Sequence, residues 1–139
     1  MTYLLDTNAC IALISGNPAA VRRQFERANS AGEQIATSSV VIFDLWYGVT
    51  KSSRREANTE RLLAFLAGPI ERLDFDEGDA REAGRVRAEL EVVGRPIGAY
   101  DILIAGQALR HGARLVTANS AEFGRIAGLT SEDWAGGIG

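Results

Sequence analysis

Three aspartates placed against apolar segments constrain the fold of this chain more than any other feature. Asp6 ends a short apolar run, Asp44 interrupts a longer one, and Asp101 directly precedes a third. An ionised carboxylate in apolar surroundings is costly unless it is paired, hydrogen-bonded or bound to a metal. The three positions are far apart in the sequence, so we expect the fold to gather them into one acidic pocket.

The length and hydrophobicity of the chain predict one globular domain. The 139 residues fit a single domain, and the hydrophobic fraction of 46% is enough to build a core. We place the domain at residues 1–134 and expect a flexible tail at 135–139. No apolar run approaches the roughly 20 residues that a membrane span needs. The N-terminus lacks the basic region of a signal peptide, so we expect a cytoplasmic protein.

Charge and composition exclude several classes of function. The net charge of −3 argues against nucleic-acid binding through bulk positive charge. Cys10 is the only cysteine, which excludes an internal disulfide and a cysteine-based zinc site. His111 is the only histidine, which argues against a histidine-rich zinc site or a histidine-based triad.

Alternating strand and helix patterns predict an α/β fold with a central parallel sheet of four to five strands and helices on both faces. The predicted strands cover 2–5, 34–37, 70–73 and 114–117. Four of the predicted helices cover 8–14, 39–51, 77–93 and 100–110. A further predicted helix begins at Pro18, and another begins at Ser52 or Ser53 and is expected to bury Leu63. Active sites in such sheets lie at the carboxyl ends of the strands. Asp6 and Asn119 both follow predicted strands, so both point to that edge.

Each candidate residue also has a purely structural interpretation. Asp6 can ligate a metal, or it can cap the following helix with the same oxygens. Asp44 shares a helix face with Val40 and Gly48, and its alternative is a partly exposed position on the helix rim. Asp101 lies on an inward, apolar stripe, and its alternative is to complement the helix dipole. Asn119 can ligate a metal directly or through water, or it can be an ordinary turn residue.

Together these four side chains have a chemical use. Mg²⁺ and Mn²⁺ prefer oxygen ligands, and Mg²⁺ keeps bound waters that can contact a substrate phosphate. Such an ion can activate a water and stabilise the displacement at a phosphodiester. The pattern therefore favours metal-dependent phosphodiester hydrolysis.

Four segments resemble, in order and spacing, the motifs of the PIN-domain family, and most of all its VapC toxins. They are YLLDTN at 3–8, DLWYG at 44–48, GAYDILIA at 98–105 and LVTAN at 115–119. The resemblance implies a Mg²⁺- or Mn²⁺-dependent endoribonuclease that acts as the toxin of a type II toxin–antitoxin pair. It also implies a homodimer, a VapB-type antitoxin as partner, and structured RNA, such as transfer or ribosomal RNA, as substrate.

The resemblance assigns roles by position. Asp6 and Asp101 match the invariant metal-binding aspartates of the family, and Asn119 matches its fourth position, where we expect metal contact through water. Thr7 and Asn8 would organise the loop after the first strand. Thr117 is a further supporting residue beside Asn119.

Asp44 departs from the family pattern, because it falls where the family normally has glutamate. Aspartate is one methylene shorter, so its carboxylate reaches roughly 1.3 to 1.5 Å less far. Mg²⁺ binds its oxygen ligands at about 2.0–2.1 Å. Our hypothesis is that Asp44 holds the metal weakly or through water and that activity is reduced. A catalytically weak or inactive PIN-like module that binds RNA or an antitoxin therefore remains the alternative.

Two other classes with acids at strand ends fit less well. Phosphatases similar to haloacid dehalogenases need a second aspartate two residues after the nucleophile, and that position is Asn8. Receiver domains need a lysine after a late strand, whereas Lys51, the only lysine, ends a predicted helix.

Overall fold

The sheet has five parallel strands, as a computed structural model shows for residues 1–136. The strands are β1 (Thr2–Leu5), β2 (Gln34–Ser38), β3 (Glu71–Leu73), β4 (Arg114–Val116) and β5 (Ser131–Glu132). Their order across the sheet is β3-β2-β1-β4-β5, and every neighbouring pair is parallel. The predicted α/β class and strand number are confirmed, although the sequence pattern did not predict β5.

Helices connect the strands. They are α1 (Thr7–Ser15), α2 (Ala19–Ser30), α3 (Ser39–Lys51), α4 (Arg55–Leu66), α5 (Glu77–Val92), α6 (Ala99–Arg110) and the short α7 (Ser120–Phe123). From β1 the chain runs to one side of the sheet through β2 and β3, and it then crosses to the other side at β4. Right-handed crossovers in opposite directions place helices on both faces of a sheet.

The reversal of strand order between β1 and β4 creates the crevice where ligands bind in open α/β sheets. Leu5 pairs with Val116 in the register of these strands, so Asp6 and Thr117 leave the sheet side by side. The backbone N–H of Asp6 donates to the carbonyl of Val116 at 3.1 Å, which extends the ladder by one residue. The predicted carboxyl-end location of Asp6 thus coincides with the topological switch point.

Side-chain caps explain where several helices begin. Ser38 accepts from the backbone N–H of Val40 at the start of α3, and Asp76 forms a capping box with Asp79 at the start of α5. The predicted start of α4 at Ser52 or Ser53 is wrong. The helix begins at Arg55, and the Ser52 hydroxyl instead donates to the carbonyl of Val49 at the end of α3.

The core is built from the central strands and the inner faces of the helices. Leu4 and Leu5 of β1 and Leu115 of β4 are fully buried. Gly106 of α6 lies directly against α5, because an added Cβ would come within 2.5 Å of the backbone nitrogen of Ala83. This close packing fixes α6, which carries Asp101 at its first turn. The prediction that Leu63 is buried is wrong, since its side chain is 52% exposed on α4.

The structure bears on two predictions: that no segment spans a membrane, and that the chain is flexible after Trp134. Within residues 1–136, no helix combines the length and the apolar character needed to cross a bilayer. Trp134 is buried and contacts the ring of Tyr3 edge-on, with centroids 5.4 Å apart. The predicted flexible tail extends over 137–139, which lie outside the described residues, so the domain bounds stay a prediction.

Candidate active site

Asp6 lies at the centre of the candidate site and is buried between β1 and α1. One carboxylate oxygen accepts from the backbone N–H of Ala9 at 2.9 Å, so the predicted helix-cap role is real. Burial raises the pKa of Asp6, while hydrogen bonds from Thr117 and from the Ala9 backbone act in the opposite direction. Capping occupies only part of the carboxylate's four lone-pair positions, so it is compatible with binding a cation.

Asp44 lies on α3 and faces the loop after β1. Its Oδ2 accepts a hydrogen bond from the Thr7 hydroxyl at 2.9 Å. The organising role of Thr7 stays a prediction. On its other side Asp44 borders an apolar cavity of about 330 Å³ lined by α1, α3 and α4. Gly48 borders the same cavity, and an added Cβ there would meet no atom of residues 1–136 within 4 Å, so no other part of the described chain approaches it closely.

Asp101 lies in the first turn of α6 and contacts a second acid, Glu122 of α7. The pKa of Asp101 is raised from 3.8 to about 6; burial is the largest cause, and the negative charge of Glu122 is the next. The charges of Asp6 and Asp44 raise it further, and the contribution of Asp44 is the smallest of these. Asp101 is therefore close enough to both other aspartates to sense their charge.

Asn119 reaches the acids through Glu122. Its amide nitrogen donates to Oε2 of Glu122 at 3.1 Å, and its backbone N–H donates to the Thr117 hydroxyl at 2.9 Å. The hydrogen bond from Asn119 lowers the pKa of Glu122. The pKa values of the two neighbouring acids are thus shifted in opposite directions, upward for Asp101 and downward for Glu122.

Glu122 is the site residue that sequence reasoning did not select. It was visible only as a glutamate three residues after Asn119, a spacing that places two side chains on one helix face. Its Oε1 also accepts from the backbone N–H of Gly98 at 3.4 Å, which ties α7 to the turn before α6. The contact with Asp101 depends on where α7 packs, and no local pattern reports that.

The site carries more negative charge than its surroundings neutralise. Four acids contribute to it: Asp6, Asp44, Asp101 and Glu122. Within residues 1–136, none of the ion pairs involves any of these four side chains. Their hydrogen-bond donors are neutral hydroxyl, amide and backbone groups. Uncompensated carboxylates in a half-buried site favour the entry of a cation.

The carboxylate oxygens of the site are suitable ligands for a divalent ion, but they do not converge on one position. Among the residues described, no three histidine, cysteine, aspartate or glutamate side chains lie close enough to hold an ion as they stand. Mutual repulsion keeps like charges apart until a cation offsets it. The oxygen-only donor set suits a hard cation such as Mg²⁺ or Mn²⁺ and not a zinc site. The metal ligands named from the sequence stay a prediction.

Comparison with known proteins identifies the class of fold and site. The PIN-domain model matches residues 3–129 of this chain. The chain belongs to the PIN-domain family, which confirms the resemblance read from the four motifs. Ribonucleases of this family generally depend on metal ions.

Relatives over nearly the whole length narrow the comparison to VapC ribonucleases. The tRNA(fMet)-specific endonuclease VapC of Shigella flexneri is 42% identical over 135 residues, covering 97% of this chain and 99% of that protein. Ribonuclease VapC2 of Rickettsia felis is 40% identical over 134 residues, covering 96% of this chain and 98% of that protein.

A solved structure agrees with the same assignment. The crystal structure of VapBC2 from Rickettsia felis bound to a promoter DNA fragment superposes with a TM-score of 0.90 at 40% identity. The match covers 96% of this chain and 99% of that chain. The predicted PIN-like architecture is therefore confirmed at the level of the whole fold.

Proposed function

We propose that this protein is a divalent-metal-dependent endoribonuclease that acts as a toxin of the VapC type. The observation that carries the proposal is that Asp101 lies within range of the charges of Glu122, Asp6 and Asp44 at the switch point of a PIN-domain sheet. Among residues 1–136, none of these four acids forms an ion pair. Relatives at 40–42% identity over nearly the full length are named as VapC ribonucleases.

The cation of this site would be Mg²⁺ or Mn²⁺. Asp6 and Asp101 would hold it, Asn119 would contact it through water, and Asp44 would bind it weakly or through water. A bound ion of this kind supplies a water of lowered pKa and stabilises charge that develops on the phosphate during hydrolysis. We add Glu122 to the site because it contacts Asp101 directly.

The side chains around the acids set their position and their protonation. Thr7 orients Asp44 through a hydrogen bond of 2.9 Å, and the α1 backbone together with Thr117 orients Asp6. A hydrogen bond between the carboxyls of Asp101 and Glu122 needs one shared proton, and a cation that enters the site would displace it. Metal binding should therefore release protons near pH 6.

We propose structured RNA, and transfer RNA first, as the substrate. The relative from Shigella flexneri is specific for tRNA(fMet), which makes transfer RNA the first class to test. Cellular RNA as substrate fits the cytoplasm as the place of action. Homodimer formation, implied by the family resemblance, belongs to the same proposal.

A VapB-type antitoxin is the proposed protein partner. The solved relatives from Rickettsia felis and Salmonella typhimurium are VapBC complexes. The apolar cavity beside Asp44 offers Ile11, Leu45 and Leu62 to an antitoxin segment. A segment lying there would border the acids and hinder RNA from reaching them.

The test is cleavage of total transfer RNA by the purified protein with added Mg²⁺ or Mn²⁺, read by sequencing the new RNA ends. Asp6→Asn should lower the rate by about 10²- to 10³-fold, the usual loss when one charge-stabilising group is removed. Asparagine is as good a helix cap as aspartate, so α1 should remain intact. The exposed acid Asp74 supplies a matched control, because Asp74→Asn should cut RNA like the native protein.

The alternative function is a PIN-like module that binds RNA or an antitoxin without cutting. It rests on Asp44, which is the acid that affects Asp101 least. Binding of transfer RNA without cleavage in either ion would establish this alternative and exclude the enzyme.

A further inference from the structure

Two exposed aromatic rings stand beside the acids and have no role in the core. Phe43 of α3 and Tyr100 of α6 are each 53% exposed. Their ring centroids are 5.7 Å apart and their planes are inclined by 50°. The rings contact each other across two helices, and large parts of their surfaces remain open to solvent.

The aromatic pair is placed by the same two helices that place two of the acids. Phe43 directly precedes Asp44, and Tyr100 directly precedes Asp101. Consecutive residues on a helix point about 100° apart, so the rings stand next to the acids and not among them. The charges of Asp44 and Asp101 interact, which places the acids of the two helices within range of each other. The aromatic pair therefore forms a wall along one side of the acid cluster.

An open aromatic surface next to a phosphate-cleaving site suits an unpaired nucleobase. Bases in single-stranded loops are stacked by proteins on aromatic side chains, whereas bases inside a duplex are already stacked on one another. With the planes inclined by 50°, a base can lie on the face of one ring while the other ring contacts its edge.

We propose that Phe43 and Tyr100 form a stacking platform for one unpaired nucleobase adjacent to the phosphate that is cut. This inference rests on the proposed ribonuclease function and deepens it. It defines the substrate as a single-stranded or loop segment, whose flanking base is unstacked and held by the platform while its phosphate lies at the acids.

A second copy of the chain is the other candidate occupant of this surface, and the charges argue against it. A two-fold contact uses the same patch on both subunits. Such a contact through Phe43 and Tyr100 would bring Asp44 and Asp101 of one copy towards the same acids of the other. Like charges brought together at an interface disfavour association. A nucleobase is neutral and carries no such penalty.

The test is a binding titration of protein into an RNA hairpin whose loop contains the fluorescent base 2-aminopurine. Ca²⁺ is used in place of Mg²⁺ or Mn²⁺ so that binding is measured apart from cleavage. Stacking should quench the fluorescence with the native protein. Phe43→Ala and Tyr100→Ala should each raise the dissociation constant by about 5- to 100-fold, the range expected for loss of one base–aromatic stack. Phe43→Tyr and Tyr100→Phe keep a ring and should preserve the quenching.

Leu63→Ala supplies the matched control, because Leu63 is a comparably exposed apolar residue on α4 that does not border the acids. It should bind the hairpin like the native protein. In cleavage assays the two alanine variants should raise KM more than they lower kcat. A platform role is contradicted if native protein does not quench the probe or if both alanine variants bind as tightly as native.

Light scattering and cleavage assays separate the remaining outcomes. If Tyr100→Ala or Phe43→Ala turns a dimer into a monomer, the pair is a subunit contact and the platform is wrong. If native protein quenches the probe but never cuts RNA, the platform stands and the proposed ribonuclease fails. If RNA is cut and the alanine variants keep the native KM, the ribonuclease stands and the platform fails.

Discussion

Two groups of acids in this molecule are treated in opposite ways by the fold. Asp79, near the start of α5, is fully buried and is surrounded by donors. It accepts from the Arg110 guanidinium at 3.1 Å, from Gln107 at 3.2 Å and from the backbone N–H of Asp76 at 3.0 Å. The ring of His111 lies 3.5 Å away. A cation and several hydrogen bonds thus compensate the burial of Asp79.

In the part of the chain that the structure describes, the acids at the sheet edge accept hydrogen bonds only from neutral donors. Asp6 is almost as buried as Asp79, yet burial raises its pKa, and no ion pair reaches it among residues 1–136. Asp101 is half-buried and touches another acid. Asp79 is therefore paired with a cation, whereas the acids at the sheet edge form no ion pair with any described residue. Perturbed, unpaired acids in a crevice are typical of functional sites.

The largest effect on stability is expected at the paired acid. Asp79→Asn removes the charge that compensates Arg110 and weakens the link between α5 and α6. Breaking a buried ion pair costs about 3–5 kcal/mol, and the partial exposure of Arg110 lowers our expectation to about 2–3 kcal/mol. Urea denaturation measures this change directly. Asp74→Asn, an exposed neighbour, should change the unfolding free energy by less than about 0.5 kcal/mol.

A smaller effect, on activity, is expected from lengthening the acid that stands where the family normally has glutamate. Asp44→Glu restores the methylene that the family pattern normally has and lets the carboxylate reach closer to Asp6 and Asp101. We expect Mg²⁺ affinity and kcat/KM for RNA to rise by about tenfold, comparable to other changes in support of a metal ligand. An unchanged Mg²⁺ dependence of cleavage would show that reach at position 44 does not limit the enzyme.

The smallest effect is expected at Asp101, and its sign is opposite to that at Asp79. The pKa of Asp101 is raised from 3.8 to about 6, so folding favours the protonated form. The stability that this proton provides is complete below about pH 4 and is lost as the pH rises through about 6. Without metal, Asp101→Asn should therefore stabilise the protein by about 1 kcal/mol above pH 7, discounted for its half-exposed position.

Urea midpoints of native protein and Asp101→Asn, measured from pH 4 to pH 8 in EDTA, check this prediction. The difference should vanish at the acidic end of the range. A constant difference at all pH values would mean that the charge of Asp101 is not the source of the effect.

The sequence predicted the parts of the molecule that depend on local chemistry. Asp6 after a short apolar run marked both a strand end and a helix cap, and the predicted helix over 77–93 begins where α5 begins. The start of α4 was misplaced because Ser52 can hydrogen-bond either to the helix that follows it or to the helix that precedes it. In the structure its hydroxyl donates to the carbonyl of Val49, at the end of α3. The pattern missed β5 because two residues are too few to show alternation.

The parts that depend on packing between distant segments were not predictable from one sequence. The contact between Asp101 and Glu122 requires α7 to pack beside the turn before α6. Nothing in the sequence distinguishes Asp79 from the other acid in the first turn of α5, Glu77, and only the packing of α5 on α6 brings Arg110 to Asp79. The same limit applies to Leu63, whose exposure depends on which face of α4 meets α1 and α3.

The most direct test of the central claim is thermal unfolding of the protein with and without Mg²⁺ or Mn²⁺. If the unpaired acids form a cation site, the native Tm should rise with ion concentration, by an amount equivalent to about 2.7 kcal/mol at 100 times the dissociation constant. Asp101→Asn should lose most of that rise, while Asp74→Asn should retain it. A native Tm that does not respond to millimolar ion, or an equal response in Asp101→Asn, would contradict the account.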